Sequence, residues 1–367
     1  MTELRIIDEE TVRALLPPRD AADAMVRALT GFDAGELYQH PRVAVDPAGD
    51  GGASGLTLLM PAATTGGEGP VTGVKLLSLF PRGEKPRLPR VQGLVVLTDG
   101  VNGEPLALLD ATSLTEIRTA AVSAVATERL ARPDARTLAV LGTGVQARGH
   151  LAALARVREW TSVRVHGRTE QGARALAEWA SGLGLPLETA ATAAEAADGA
   201  DVVCTVTSAS GPVLPEDLPT AGVHVNGVGA YGPGCRELPS GLVARATNFV
   251  ESREAAAREA GNLLIPRAEG VAVAEPVELA EVLTGRHPGR TGEDELTVFT
   301  SLGLPVEDVV ACELIHRRAV ERGLGRLVRL SAPVPPEGPV TPASAESSGS
   351  SGSSTSSAST THREAER

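Results

Sequence analysis

Gly142, Gly144 and Ala147 stand at Gly-x-Gly-x-x-Ala spacing, directly after the apolar run 138–141 and at the head of a helical pattern over 145–158. A strand, a glycine turn and a helix in that order can seat a dinucleotide pyrophosphate. Gly142 lets the chain turn tightly off the strand. Gly144, with no Cβ, lets the backbone approach an anion. Ala147 is small enough for the helix to pack on the strand, and the unpaired N–H groups of the helix N-terminus face the anion. The same spacing also occurs in ordinary strand–helix turns, so the flanking elements carry the reading.

The second strand of such a fold often ends in an acid about 20 residues further on, which holds the ribose hydroxyls. Here Val165-His166-Gly167-Arg168-Thr169 contains none. Arg168 and Thr169 suit a 2′-phosphate through charge and a hydroxyl donor, which favours NADP(H) over NAD(H). If Arg168 is instead a solvated residue stacked on the adenine, NAD(H) remains usable.

Arg42, Lys75 and Arg118 are the cations with chemistry in reach. Lys75 lies inside the β-like run Gly73-Val74-Lys75-Leu76-Leu77. Arg118 lies early in an apolar helix, in Thr115-Glu116-Ile117-Arg118-Thr119-Ala120-Ala121. A cation in such a setting needs an anion, because burying it alone is costly. A substrate carboxylate fits a planar guanidinium. An internal pair of Arg118 with Glu116 or Glu104 fits equally well. The histidines, at 40, 150, 166, 224, 287, 316 and 362, show no metal-ligand spacing and read as structural or exposed. Cys204 reads as a packing residue of a buried strand.

Two different rhythms position these residues. Residues 6–31 turn helical in their second half, where Ala21, Ala22, Met25, Val26 and Leu29 share a face. Residues 41–110 alternate short β-like runs (56–59, 74–79, 94–98 and 106–109) with Gly and Pro turns, which predicts an antiparallel sheet. An Ala-rich helix over 114–130 follows and ends at Arg132-Pro133-Asp134. From residue 137, strands at 137–141, 163–166, 201–207, 223–228 and 248–251 alternate with helical stretches, as in a doubly wound parallel sheet. Residues 306–322 are helical again. The Ser-rich stretch 331–367 cannot bury a core and reads as a disordered tail, passive rather than regulatory.

The chain has 367 residues, enough for two domains, and a net charge of −12. That balance argues against nucleic acid or an anionic membrane as the main partner. No apolar run is long enough to span a membrane. The N-terminal residues carry no signal-peptide pattern, and three scattered cysteines without CxxC fit a reducing cytoplasm.

Several motifs together resemble the ornithine cyclodeaminase and mu-crystallin family, over residues 5–330. They are Thr115-Glu116-Ile117-Arg118-Thr119-Ala120-Ala121-Val122-Ser123-Ala124, Gly142-Thr143-Gly144-Val145-Gln146-Ala147-Arg148 and Asn226-Gly227-Val228-Gly229-Ala230-Tyr231. Met60-Pro61-Ala62, Val74-Lys75-Leu76, Gly103-Glu104-Pro105-Leu106-Ala107 and Val298-Phe299-Thr300-Ser301-Leu302-Gly303 support them. The resemblance implies an α/β chain in which a doubly wound dinucleotide-binding domain (125–304) is inserted in an α+β substrate-binding and dimerisation domain (1–124). A C-terminal helix (305–330) returns to that second domain, whose sheet pairs two subunits into a homodimer. Arg42, Lys75, Arg118 and Leu302 would bind substrate. Gly142, Gly144, Val145, Gln146, Gly167, Arg168, Thr169, Thr207, Val228, Gly229 and Ser301 would contact the cofactor.

Two departures set the expected reaction. Cyclodeaminases of the family carry an aspartate where this chain has Tyr231, and a glutamate where it has Leu58. Cyclodeamination moves protons at an amine and needs a positioned base, a role that tyrosine fills poorly. The resemblance therefore implies an NAD(P)H-dependent reductase of a small cyclic imine carboxylate, with Lys75, Arg118 and Tyr231 at the chemistry. Tyr231 would pack against the ring or donate a proton. Ornithine or lysine cyclodeamination, amino-acid dehydrogenation, and a non-catalytic cofactor-loaded binding protein are the alternatives.

Overall fold

The computed structural model describes residues 3–47, 55–65, 69–80, 88–217 and 221–330. The Ser-rich stretch 331–367 lies outside the described residues. The chain opens with β1 (Glu3–Ile7), α1 (Glu9–Leu15) and α2 (Pro18–Asp33). There follow β2 (Leu37–Gln39), β3 (Val43–Val45), β4 (Leu56–Thr64), β5 (Val71–Leu79), β6 (Val91–Asp99), β7 (Pro105–Asp110) and α3 (Ala111–Leu130). Alternation then gives β8 (Thr137–Leu141), α4 (Val145–Leu154), β9 (Ser162–His166), α5 (Glu170–Ala180), β10 (Leu187–Thr189), α6 (Ala193–Ala197) and β11 (Val202–Thr205). It continues through β12 (His224–Gly227), α7 (Ser240–Arg245), β13 (Thr247–Val250), α8 (Arg253–Glu259), α9 (Gly261–Ala268), β14 (Val277–Glu278) and α10 (Leu279–Leu283). The last elements are β15 (Thr297–Thr300), α11 (Pro305–Arg322) and β16 (Arg326–Arg329).

The first sheet runs β16-β1-β7-β6-β5-β4-β2, with β3 also on β4. Strands β4 to β7 pair antiparallel, as the alternating runs predict, and each is longer than its run. β1 was not foreseen and pairs parallel with β7. Period-two burial decides which side chains enter the core. On β4, Leu58, Met60 and Ala62 are buried, and on β5 Lys75 and Leu77 are buried. The register sets Lys75 between Met60 and Val95, so the pleat itself forces a charged group inward. α11 packs on this inner face against β4 and β5. A Cβ at Gly73 would lie 2.7 Å from the Val309 side chain, so the glycine permits that closeness. The outer face keeps Leu76, Leu94 and Val96 exposed, with Leu76 and Leu94 paired across the strands.

The second sheet is parallel in the order β10-β9-β8-β11-β12-β15-β13-β14. Its order reverses beside β8, which opens a crevice at the carboxyl ends of β8 and β11. α3 packs against strands of both sheets and is buried on nearly all sides. Its Ala121 and Val122 join one core, its Ala120 and Ala124 another. Asp110 caps it, accepting from the Ser113 amide at 2.7 Å. The helix after the glycine turn is shorter than 145–158. It ends at Leu154, where the amides of Arg156 and Val157 bond three residues back and tighten the chain into a turn.

Candidate active site

The glycine turn takes the form its spacing requires. Gly142 has φ +125°, and a Cβ there would lie 2.7 Å from the Val206 carbonyl oxygen. Gly144 is the N-cap of α4, no side chain caps that helix, and nothing lies within 4 Å of where its Cβ would be. Backbone N–H groups therefore open onto free space, a cradle that fits a pyrophosphate. Gln146 Oε1 and Thr115 Oγ1 are buried nearby without hydrogen-bond partners among the described residues. Gln146 Nε2 donates to the Thr115 carbonyl at 3.4 Å. Gly167 packs against the Thr143 side chain with no room for a Cβ. Thr169 accepts from the Gly172 amide at 3.2 Å and so caps α5. Arg168, between them, is exposed. Thr207, Val228 and Gly229 gather at the carboxyl ends of β11 and β12.

The three cations meet at the far side of this cleft, and their partners are not those expected. Arg118 pairs with neither Glu116 nor Glu104. Its Nε donates to Asp308 Oδ1 at 3.1 Å and its Nη1 to Glu307 Oε2 at 3.0 Å. Glu116, two residues away on the same helix, faces elsewhere and binds Arg13. Glu104 stands in the turn before β7. Lys75 Nζ donates to Asp308 Oδ1 at 2.8 Å and lies 2.7 Å from Oδ2, an ion-pairing approach at the second oxygen. Glu307 and Asp308 occupy the first turn of α11, where the helix dipole also favours carboxylates. Sequence reading missed both; acids in the first turn of a returning helix were the available signal.

Arg42 reaches the same loop from the other side. Its Nη2 donates to the carbonyls of Leu302 at 3.1 Å and Gly303 at 2.6 Å, and its Nε pairs with Glu259 at 3.0 Å. Leu302 is thus present at the site through its backbone. Buried Glu251 holds this loop by accepting from Ser301 Oγ at 2.9 Å and from the amides of Leu302 and Gly303. The Ser301 hydroxyl is directed to Glu251 rather than to the cleft. A Cβ at Gly303 would overlap the Arg118 guanidinium, which rests against that glycine. Tyr231 is half-buried, with the Arg42 guanidinium 5.5 Å from its ring centre.

Burial dominates the electrostatics. It pulls the Lys75 ammonium down to about 8, with Asp308 opposing and Arg118 adding to the fall. It pushes Glu307 up to about 8 against the pull of Arg118. Burial likewise raises the Tyr231 phenol, which keeps its proton at neutral pH. Arg118 uses Nε and Nη1 internally, and its Nη2 makes no hydrogen bond to a described residue. The cluster is therefore pre-formed, partly neutralised from behind by Asp308 of α11, with a guanidinium edge to offer an anion.

Other polar groups are structural. His150 bonds the Gln146 carbonyl and Ser123, and His224 bonds Thr297 and Asn226. Burial depresses both imidazoles, His150 to about 4 and His224 to about 3. Buried Cys204 accepts from Asn226, and burial raises its thiol to about 12. No group of acids, cysteines and histidines among the described residues can hold a metal ion.

Residues 4–323 match the model of the ornithine cyclodeaminase/mu-crystallin family. The chain belongs to this family. It is 42% identical over 275 residues to a Delta(1)-pyrroline-2-carboxylate reductase of Bacillus cereus, covering 74% of this chain and 84% of that protein. Among solved structures it resembles Thermococcus litoralis Delta(1)-pyrroline-2-carboxylate reductase in complex with NADH and L-proline. That match has TM-score 0.84 and 32% identity and covers 88% of this chain and 99% of the other. An archaeal alanine dehydrogenase dimer with bound NAD matches with TM-score 0.83 and 29% identity, covering 90% of this chain and all (100%) of that one. In this family member Leu58 is buried on the inner face of β4, beside Met60, and no carboxylate stands there.

Proposed function

We propose that this chain is an NAD(P)H-dependent reductase of a small cyclic imine carboxylate, of the pyrroline-2-carboxylate or piperideine-2-carboxylate type. The observation that carries the reading is the gathering of Arg42, Lys75 and Arg118 around residues 302–308, the loop after β15 and the first turn of α11, together with an uncapped Gly-x-Gly helix start. On this reading the chain divides into a substrate unit, residues 1–124 and 305–330, and a cofactor unit, residues 125–304. The glycine turn at Gly142 and Gly144, with Val145, Gln146, Gly167 to Thr169, Thr207, Val228 and Gly229, holds the dinucleotide. The bound nicotinamide supplies hydride to the C=N carbon.

The free Nη2 edge of Arg118 takes one oxygen of the substrate carboxylate, and Lys75 takes the other or polarises the imine. Asp308 and Glu307 fix both cations before substrate arrives, so little reorganisation is left for the reaction. The half-buried face of Tyr231 packs against the ring, and its protonated phenol is a donor at the ring nitrogen. A protonated imine is the better electrophile. No side chain at positions 58 or 231 supplies the base that amine loss requires, which disfavours cyclodeamination. The exposed apolar face of the first sheet, with Leu76, Leu94 and Val96, suits pairing with a second copy into a homodimer. Three unpaired cysteines suit a reducing cytoplasm. No described helix is long and apolar enough to cross a membrane.

The test is a substrate panel with the purified protein. Cyclic imine carboxylates should be reduced with oxidation of the cofactor, and ornithine and lysine should release little ammonia. Efficient conversion of ornithine to proline or lysine to pipecolate, without net cofactor consumption, would overturn the reductase reading. No turnover of any panel member, with cofactor bound, would leave a binding protein instead.

NADP(H) is the preferred cofactor in this reading, because Arg168 is exposed at the end of β9 without an ion pair among the described residues. Arg168→Asp should shift the ratio of efficiencies with NADPH and NADH by roughly tenfold or more towards NADH, through repulsion of a 2′-phosphate. A wild-type enzyme that already works better with NADH refutes the assignment.

A further inference from the structure

At the mouth of the parallel sheet one carboxylate is buried with no cation beside it. Glu237, between β12 and α7, has no solvent exposure. Its Oε2 accepts from Thr205 Oγ1 at 2.9 Å and from the Gly229 amide at 2.6 Å. Its Oε1 accepts from the Thr207 amide at 2.7 Å and the Thr207 hydroxyl at 2.6 Å. Thr205 ends β11, and Gly229 lies just past β12. One side chain therefore ties together the carboxyl ends of two adjacent parallel strands. Its own backbone is fixed too: the Glu237 amide donates to Asn262 Oδ1 at 2.9 Å and its carbonyl accepts from the Val213 amide at 2.8 Å. A Cβ at Gly229 would lie 2.5 Å from Glu237 Oε1, so the carboxylate comes this close only because residue 229 is glycine. No described Lys, Arg or His forms an ion pair with it, and the charge is met by four hydrogen-bond donors alone. Burial raises the carboxyl above its ordinary value, and those donors pull it back.

The sheet order locates this group between the two halves of the site. The glycine turn follows β8, the loop that carries Leu302 and Gly303 follows β15, and β11 and β12 lie between them. A dinucleotide that reaches from the glycine turn to the cation cluster must pass the ends of β11 and β12. We propose that Glu237 is a positioning residue for the nicotinamide end of the cofactor cleft: it fixes the Thr207 and Gly229 amides, and its charge favours the cationic, oxidised ring over the neutral, reduced one. The proposal rests on the dinucleotide reading above. In a water-poor interior a fixed charge acts over longer range than in solvent. Stabilising the oxidised ring makes the bound reduced cofactor a stronger hydride donor.

The experiment measures Kd for NADH by fluorescence titration and Kd for NAD+ by competition, with melting temperature as a check on folding. Glu237→Gln removes the charge and turns an NH2 group towards one of the two backbone amides. NADH should bind roughly tenfold more weakly, and NAD+ weaker still by a further threefold or so. Glu237→Asp keeps the charge but falls one methylene short, so both affinities should drop with their ratio unchanged. An unchanged ratio in Glu237→Gln overturns the electrostatic part, and wild-type affinities in Glu237→Asp overturn the positioning part. Should Glu237→Gln not fold, Glu237→Asp, which keeps the charge, decides the positioning part by the same criterion. A wild-type chain that binds neither form overturns the dinucleotide reading itself.

Discussion

Arg118→Ala should abolish turnover while NADH still binds. The side chain holds Asp308 and Glu307 at 3.1 and 3.0 Å and keeps its Nη2 edge free for substrate. Truncating one partner of a buried, hydrogen-bonded charge pair costs about 2–5 kcal/mol, a loss of roughly thirtyfold to several thousandfold in kcat/KM. Stability should fall as well, because two buried carboxylates lose their guanidinium. The sign of its pH dependence follows from Glu307, raised from 4.5 to about 8 by burial. A carboxyl whose folded pKa lies above its unfolded value binds more protons when folded, so its contribution to stability declines as pH rises from 4.5 to about 8. Without Arg118 the folded pKa of Glu307 rises further, so the decline continues to higher pH. The melting-temperature gap between wild type and Arg118→Ala should therefore widen as pH rises through about 8. Arg118→Lys should also lose most activity, since a point charge cannot span two carboxylates and offer a third edge. Near-normal efficiency in Arg118→Ala would remove the clamp from the mechanism.

Local signals in the sequence were enough for the glycine turn, the inward Lys75 and the long buried helix. A Gly-x-Gly turn is written in adjacent residues, and the alternating strand 71–79 forces its odd-numbered side chains inward. What could not be read locally was who neutralises whom. Arg118 meets Glu307 and Asp308 across separations of 189 and 190 residues, and Lys75 meets Asp308 across 233. Periodicity carries no information on such pairings. The nearby candidate, Glu116, was misleading for a helical reason: residues two apart do not share a face, and its carboxylate turns to Arg13 on α1. Short terminal strands escaped for a similar reason. β1 and β16 pair with each other although they lie at opposite ends of the described chain, and neither shows a clean alternation. Glu237 was invisible because its donors are mainly backbone amides and strand-end hydroxyls, whose directions depend on where two strands end.

Lys75→Met and Asp308→Asn should separate stability from catalysis at the centre of the site. Alone, Lys75→Met leaves Asp308 with Arg118 only, and Asp308→Asn leaves a fully buried ammonium facing Arg118 and Arg42. Each single change should destabilise, the second partly relieved by loss of the lysine proton. The double variant removes both charges, and since a buried pair is often matched by a neutral replacement, its stability should return to within about 1–2 kcal/mol of wild type. Turnover should not return, because the clamp has lost its second cation. The pH profile supplies an independent check. As pH passes about 8, Lys75 loses a positive charge and Glu307 gains a negative one, so the site loses two units of positive charge together. KM for an imine carboxylate should therefore climb through that range in the wild type, with a shallower climb in Lys75→Met. Stability moves the other way for the lysine. Its folded pKa lies below its unfolded value of 10.5, so the unfolded chain binds more protons between about 8 and 10.5 and the Lys75 contribution rises with pH there. Lys75→Met should flatten that rise. A double variant that recovers activity along with stability would show that Lys75 serves the fold and not the substrate.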